Sequence, residues 1–156
     1  MGIDPGSRIT GYGIVGSERK GIKYIHHGEI KSKRSDPLSE CLKRIYDGLV
    51  DTIQTYSPDA IAIEDIFYGK NIKSLVTLGH VRGAAILAAA HRTVPVFEYT
   101  PLEVKQAVVG YGRAEKIQVQ KMVTAILNLH KIPPTDASDA LAIAICHTNY
   151  MKVLPV

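Results

Sequence analysis

The chain has 156 residues, which suits one compact domain over residues 1–156 and leaves little room for a second. Hydrophobic residues make up 46% and charged residues 22%, near the globular average, so disordered and fibrous classes are excluded. The formal net charge is +4, and residues 66–131 hold nine basic against three acidic side chains, a balance that suits a polyanionic partner or plain solubility. The longest unbroken apolar runs, residues 84–90 and 140–146, are seven residues each. A membrane span needs about twenty. Asp4 and Pro5 stand where the apolar stretch of an export signal would begin, so a soluble cytoplasmic protein with no membrane partner is expected. Cys41 and Cys146 lie in apolar helical patterns without metal-ligand spacing and read as reduced core residues.

In chain order, short strands are predicted at residues 1–4 and 11–16 around a Pro-Gly-Ser turn, with a third at 22–30. Asp36 as N-cap and Pro37 in first position predict a helix. Leu38, Leu42, Ile45, Leu49 and Ile53 give it one apolar stripe, and Ser57-Pro58 stops it. Residues 60–63 read as a buried parallel strand ending in Glu64. A helix over Ile72–His91 follows, then a strand at 94–98, helices near 102–109 and 114–129, and a last helix over about 136–149. This order implies an α/β fold, a mixed sheet flanked by helices.

Four acids stand out against it. Asp4 and Glu64 each end a predicted strand, and sites in open α/β sheets form outside the carboxyl ends of neighbouring parallel strands. Asp136 and Asp139 are three apart at the start of an Ala- and Ile-rich helix and share a face. Alone, Asp4 reads as a turn former and the two helix acids as caps. Glu64 at the end of a buried strand must be paired, hydrated or metal-bound. Asp65 beside it points to the opposite face and reads as a surface charge. Together the four favour a site for Mg²⁺, with Mn²⁺ as substitute, because the donors are carboxylate oxygens without thiolates or clustered histidines. Two such ions about 3.5–4 Å apart serve phosphodiester cleavage. No nucleophile elbow is present, and Gly-Tyr-Gly at 11–13 is too short for a nucleotide fingerprint.

Gly-Ile-Asp-Pro-Gly-Ser at 2–7, Ile-Glu-Asp-Ile-Phe at 63–67, Val-Lys-Gln-Ala-Val-Val-Gly at 104–110, the segment 114–123 and Asp-Ala-Ser-Asp-Ala-Leu-Ala-Ile-Ala at 136–144 resemble, in order, the RuvC family. These are bacterial Holliday-junction resolvases of the ribonuclease H-like superfamily. The resemblance implies a ribonuclease H-like, five-stranded mixed sheet in which the strands of Asp4 and Glu64 are neighbours. It implies that Asp4, Glu64, Asp136 and Asp139 are metal-binding catalytic acids. It further implies a homodimer that makes paired nicks in four-way junction DNA, with a RuvA–RuvB branch-migration complex as partner.

The resemblance places Phe67 as a base-contacting aromatic, where composition alone leaves it equally a core residue. It places Lys105 and Lys116 near the scissile phosphate. Lys70, Lys73, Arg82, Arg113 and Lys121 enter as phosphate contacts on the basic bias alone. Gly79 and Gly83, four apart in the helix over Ile72–His91, mark a dimer contact or close packing within one chain. Family members usually carry a few more residues before Gly-Ile-Asp-Pro-Gly, so a shortened central strand is expected. Weighed against the resolvase are an actin-like phosphotransferase, which needs two lobes, and a non-catalytic junction-binding module, which would lack the acids. A ribonuclease H-like nuclease acting on RNA or RNA–DNA hybrid is the remaining alternative.

Overall fold

A computed structural model describes residues 1–19, 21–66 and 71–153. Five strands, β1 (Gly2–Asp4), β2 (Ile9–Glu18), β3 (Gly21–Lys31), β4 (Ile61–Glu64) and β5 (Val96–Tyr99), form one sheet in the order β3-β2-β1-β4-β5. β1 pairs antiparallel with β2 and parallel with β4, and β4 pairs parallel with β5. The mixed sheet and the adjacency of β1 and β4 are as expected. β1 is short, and the Met1 nitrogen donates to the Ala60 carbonyl at 2.8 Å.

The helices are α1 (Leu38–Tyr56), α2 (Ile72–His91), α3 (Pro101–Val109), α4 (Lys116–Ile126) and α5 (Thr135–Val153). They cover both faces. α1 and α2 bury Ile45, Leu49, Val81 and Ala85 with Ile3, Ile61 and Ile63 of the sheet. On the other side α3 and α4 enclose α5, whose Leu141, Ala142, Ile145 and Cys146 are buried. Both cysteines are buried and free, as their pattern predicts.

Two local expectations are corrected. Asp36 does not cap α1: Pro37 holds the N-cap position without a side-chain bond, and Asp36 accepts from the Lys33 N–H and pairs with Arg44. Proline there has the fixed extended entry angle, so the carboxylate is free for the preceding turn. The helix expected near 114–129 is also shorter, with α4 opening at Lys116 behind an N-capping Glu115 and closing at Ile126. α2 is long and apolar enough by composition to cross a membrane, at a mean hydropathy of 1.2 over its best window. In the fold, Val81, Ala85, Ala88 and Ala89 on one of its faces are buried in the core shared with α1 and the sheet.

Glycines fix how near α5 comes. A Cβ on Gly2 of β1 would stand 2.1 Å from the Ala140 carbonyl, and one on Gly11 of β2 would stand 2.0 Å from the Asp136 carbonyl. The bare backbone of these strands therefore lets the first turns of α5 lie directly on the sheet, beside the end of β1.

Candidate active site

Asp4 and Glu64 end β1 and β4, and the register Ile3↔Ile63 sets them level on neighbouring parallel strands. α5 brings Asp136 and Asp139 to the same end. Asp4 is deeply placed, and its carboxyl is pushed up to about 8 by burial, then by the charges of Asp139, Glu64 and Asp136, with Lys116 working against them. Glu64 is also raised, by burial first and Asp139 second, against Lys116 and Lys105. Asp139 is raised by burial although it bonds to Lys116. Half-buried carboxylates gathered at one end of the sheet resist ionising together.

Lys116 Nζ lies 2.6 Å from Asp139 Oδ2. Burial works against its charge, but the bond to Asp139 and the charges of Asp139, Asp4 and Asp136 more than offset this and raise its pKa. Glu64, Lys105, Lys116 and Asp139 line one cavity of about 240 Å³, floored by Val104, Val119 and Ile143. Asp4 and Asp136 lie within electrostatic reach of it but do not line it.

The donor set fits a hard divalent cation, since its oxygens carry charge that Lys105 and Lys116 only partly balance. Among the described residues, no three histidine, cysteine or carboxylate side chains converge on one point as they stand. Asp139 is turned to Lys116, so an ion held by Asp139 takes that carboxylate from the lysine.

The predicted DNA contacts divide. Lys105 and Lys116 border the acids, whereas Arg113 and Lys121 are exposed and do not line that cavity. Phe67 and Lys70 lie outside the described residues. Arg82 is corrected: it is not an open phosphate contact, because Nη2 pairs with Glu98 at 2.5 Å and Asp65 at 3.6 Å, and Nε donates to the Glu64 carbonyl at 3.2 Å. It ties the ends of β4 and β5 to α2 and so steadies Glu64. Spacing in sequence held no sign of either this clasp or the Lys116–Asp139 pair.

A family profile described as crossover junction endodeoxyribonuclease RuvC matches residues 1–147. The crossover junction endodeoxyribonuclease RuvC of Geotalea uraniireducens is 52% identical over 96% of this chain and 87% of its own length. That of Ruminiclostridium cellulolyticum is 55% identical over 96% of this chain and 90% of its own. Among solved structures, Thermus thermophilus RuvC in complex with Holliday junction substrate superposes with a TM-score of 0.91 at 35% identity, covering 97% of this chain and 93% of that one. The yeast mitochondrial resolvase Ydc2, at 13% identity and a TM-score of 0.69, shares the fold alone.

Proposed function

The chain belongs to the RuvC family of crossover junction endodeoxyribonucleases, and from that premise we propose that Asp4, Glu64, Asp136 and Asp139 are its catalytic acids. It is a ribonuclease H-like DNA endonuclease that hydrolyses phosphodiester bonds at Holliday junctions, in recombination and repair. Cutting of RNA or RNA–DNA hybrid has no comparable support. The observation that carries the site is the level placement of Asp4 and Glu64 on neighbouring parallel strands, with Asp4 pushed up to about 8 by burial and by its acidic neighbours.

Two Mg²⁺ ions, or Mn²⁺ in their place, would supply Lewis-acid activation of water and stabilisation of the leaving oxygen. Asp4 and Glu64 hold this charge between the two strand ends. Asp136 and Asp139 would help hold the ions from α5, and one of them would align the attacking water. Lys105 and Lys116, on the wall of the same cavity, hold the scissile phosphate for in-line attack. The products are a 5′-phosphate and a 3′-hydroxyl, which a ligase can rejoin.

Two equal sites suit a junction of two-fold symmetry, and a homodimer supplies them. α2 supports this reading. Ile72, Val76 and Leu87 on it are 67%, 51% and 60% exposed, and Gly83 lies on the same stripe. Among the described residues, a Cβ on Gly83 would meet nothing within 4 Å, and one on Gly79 only the tip of Ile66 at 4.0 Å, so packing against them requires neither glycine. Gly83→Ala is therefore expected to stabilise the separated chain by about 0.5–1 kcal/mol, since glycine is the poorer helix former. The same change should shift sedimentation toward monomer; a dimer of unaltered affinity would remove α2 from the contact.

Phe67 is proposed to stack on a base left unpaired at the crossover, a contact worth about 1–3 kcal/mol. Phe67→Ala should slow junction nicking more than it weakens binding, and an unchanged rate would return the ring to a packing role. Lys70, Arg113 and Lys121 are proposed phosphate contacts, RuvA and RuvB the branch-migration partners, and the cytoplasm the location, without a membrane partner. The deciding assay offers a mobile four-way junction, a matched duplex and an RNA–DNA hybrid, each with Mg²⁺ or EDTA. Paired symmetric nicks in the junction alone, only with metal, are expected; cleavage of the hybrid instead would overturn the substrate.

A further inference from the structure

The Asp4 end of the sheet carries a second row of cations, on the α1–α2 side, that the acid site does not use. The turn between β1 and β2 is locked in place. Thr10, fully buried, donates its hydroxyl to the Gly6 carbonyl at 2.9 Å and accepts from the Gly6 N–H at 3.4 Å. On one flank, the Ser32 N–H donates to the Arg8 carbonyl at 2.9 Å, and Ile9 pairs with Lys31, so the segment after β3 is joined to this turn. On the other flank, Gly6 and Ser7 border a groove of about 450 Å³ with Lys73, Ser74 and Thr77 of α2.

The cations around it are not equivalent. Lys31 is paired with Glu29, Arg44 with Asp36, Arg82 with Glu98 and Lys116 with Asp139. Arg8, Lys33, Arg34 and Lys73 are exposed and have no ion pair among the described residues. No carboxylate lines the groove, and Asp36, the acid nearest in sequence to Lys33 and Arg34, is occupied by Arg44 and the Lys33 N–H. Unpaired cations beside the hydroxyls of Ser7, on a turn held by Thr10, and of Ser74, at the start of α2, match a row of phosphodiester anions; the Thr77 hydroxyl is taken by the Lys73 carbonyl at 3.0 Å.

We propose that Ser7, Arg8, Lys33, Arg34 and the start of α2 form a second phosphate track, which holds the DNA arm leading away from the cut on the side opposite Lys105 and Lys116. The inference rests on the DNA-cutting reading above. The ligand is the sugar–phosphate backbone of duplex DNA, because these side chains contact phosphate without reading base edges. The track adds affinity uniformly across sequences and orients the arm over Asp4.

The test measures binding of a labelled four-way junction to the full chain in EDTA across a salt series. Arg8→Gln, Lys73→Gln and the double variant Lys33→Gln with Arg34→Gln are compared with wild type. The plot of log K against log salt should become shallower by about one for each cation removed. Lys73→Arg should keep the wild-type slope. So should Lys23→Gln, which removes the same charge beside Glu18 at the far end of β3. A partly unfolded variant lowers the apparent affinity by one factor at every salt concentration and leaves the slope alone, so misfolding does not imitate the result. Unchanged slopes in all three variants, with a wild type that binds steeply and nicks the junction, overturn the track and leave the nuclease reading intact. A wild type that neither binds nor nicks the junction overturns both.

Discussion

Asp4→Asn is expected to stop cleavage while making the metal-free protein more stable. The Asp4 carboxyl titrates near its ordinary 3.8 when unfolded and at about 8 when folded, through burial and then the charges of Asp139, Glu64 and Asp136. Between those values the folded state binds the extra proton. Its contribution to stability is therefore full below the unfolded pKa and is lost as pH rises through about 8. Asparagine cannot ionise, so the variant should melt higher than wild type at pH 8 in EDTA and lose most of the decline between pH 4 and 8. Mg²⁺ should raise the melting temperature of wild type and leave the variant nearly unmoved, since only a ligand that prefers the folded site stabilises it. Cleavage should fall by roughly 10²–10³-fold or more, the scale of removing one preorganised group at a developing charge. Junction binding should hold or tighten, because one negative charge has left a phosphate site. A variant that melts below wild type in EDTA would show that Asp4 is held by favourable bonds and would sink the picture of repelling acids.

The features legible in the sequence are those with a local cause. β4 is marked by the isoleucines around Ala62 and by the carboxylate that ends it. Both ends of α2 are legible because its apolar run has clear limits. Asp4 and Glu64 could be matched because two strand ends in an α/β order imply one crevice. What escaped came from distant residues. Lys116 reaches Asp139 across 23 positions of chain, and only the fold sets α4 against the start of α5. Arg82 reads as an open cation in the sequence because Asp65, just past β4, and Glu98, in β5, which claim it, are distant in the chain. Gly-Tyr-Gly at 11–13 is too short for a nucleotide fingerprint, and sequence alone assigns it no role. Its role is packing: Gly11 and Gly13 face α5, while Tyr12 between them packs on the α1 side. Alternation along a strand makes that division, but the partner across it is visible only in three dimensions.

Gly11→Ala tests that packing at the point where it meets the chemistry. Gly11 pairs with Asp4 in the β1–β2 register. Its added Cβ would stand 2.0 Å from the Asp136 carbonyl oxygen, 2.3 Å from the Asp136 carbonyl carbon and 2.9 Å from the Ala137 nitrogen. All three are backbone atoms, so no side chain can swing aside; the first turn of α5 must retreat. A forced shift in a well-packed core costs typically about 1–3 kcal/mol and occasionally more, and a backbone clash this deep belongs at or above the upper end. For a chain of this length about 3 kcal/mol lowers the melting temperature by roughly 6–12 °C. The loss should be selective as well as large. α5 carries Asp136 and Asp139, so molecules that remain folded should show a smaller Mg²⁺-induced rise in melting temperature and slower nicking. Gly83→Ala makes the same chemical change in an open position and should move stability the other way. Wild-type melting and wild-type metal response in Gly11→Ala would mean that α5 does not rest on the strand backbone, and the placement of two of the four acids would fall with it.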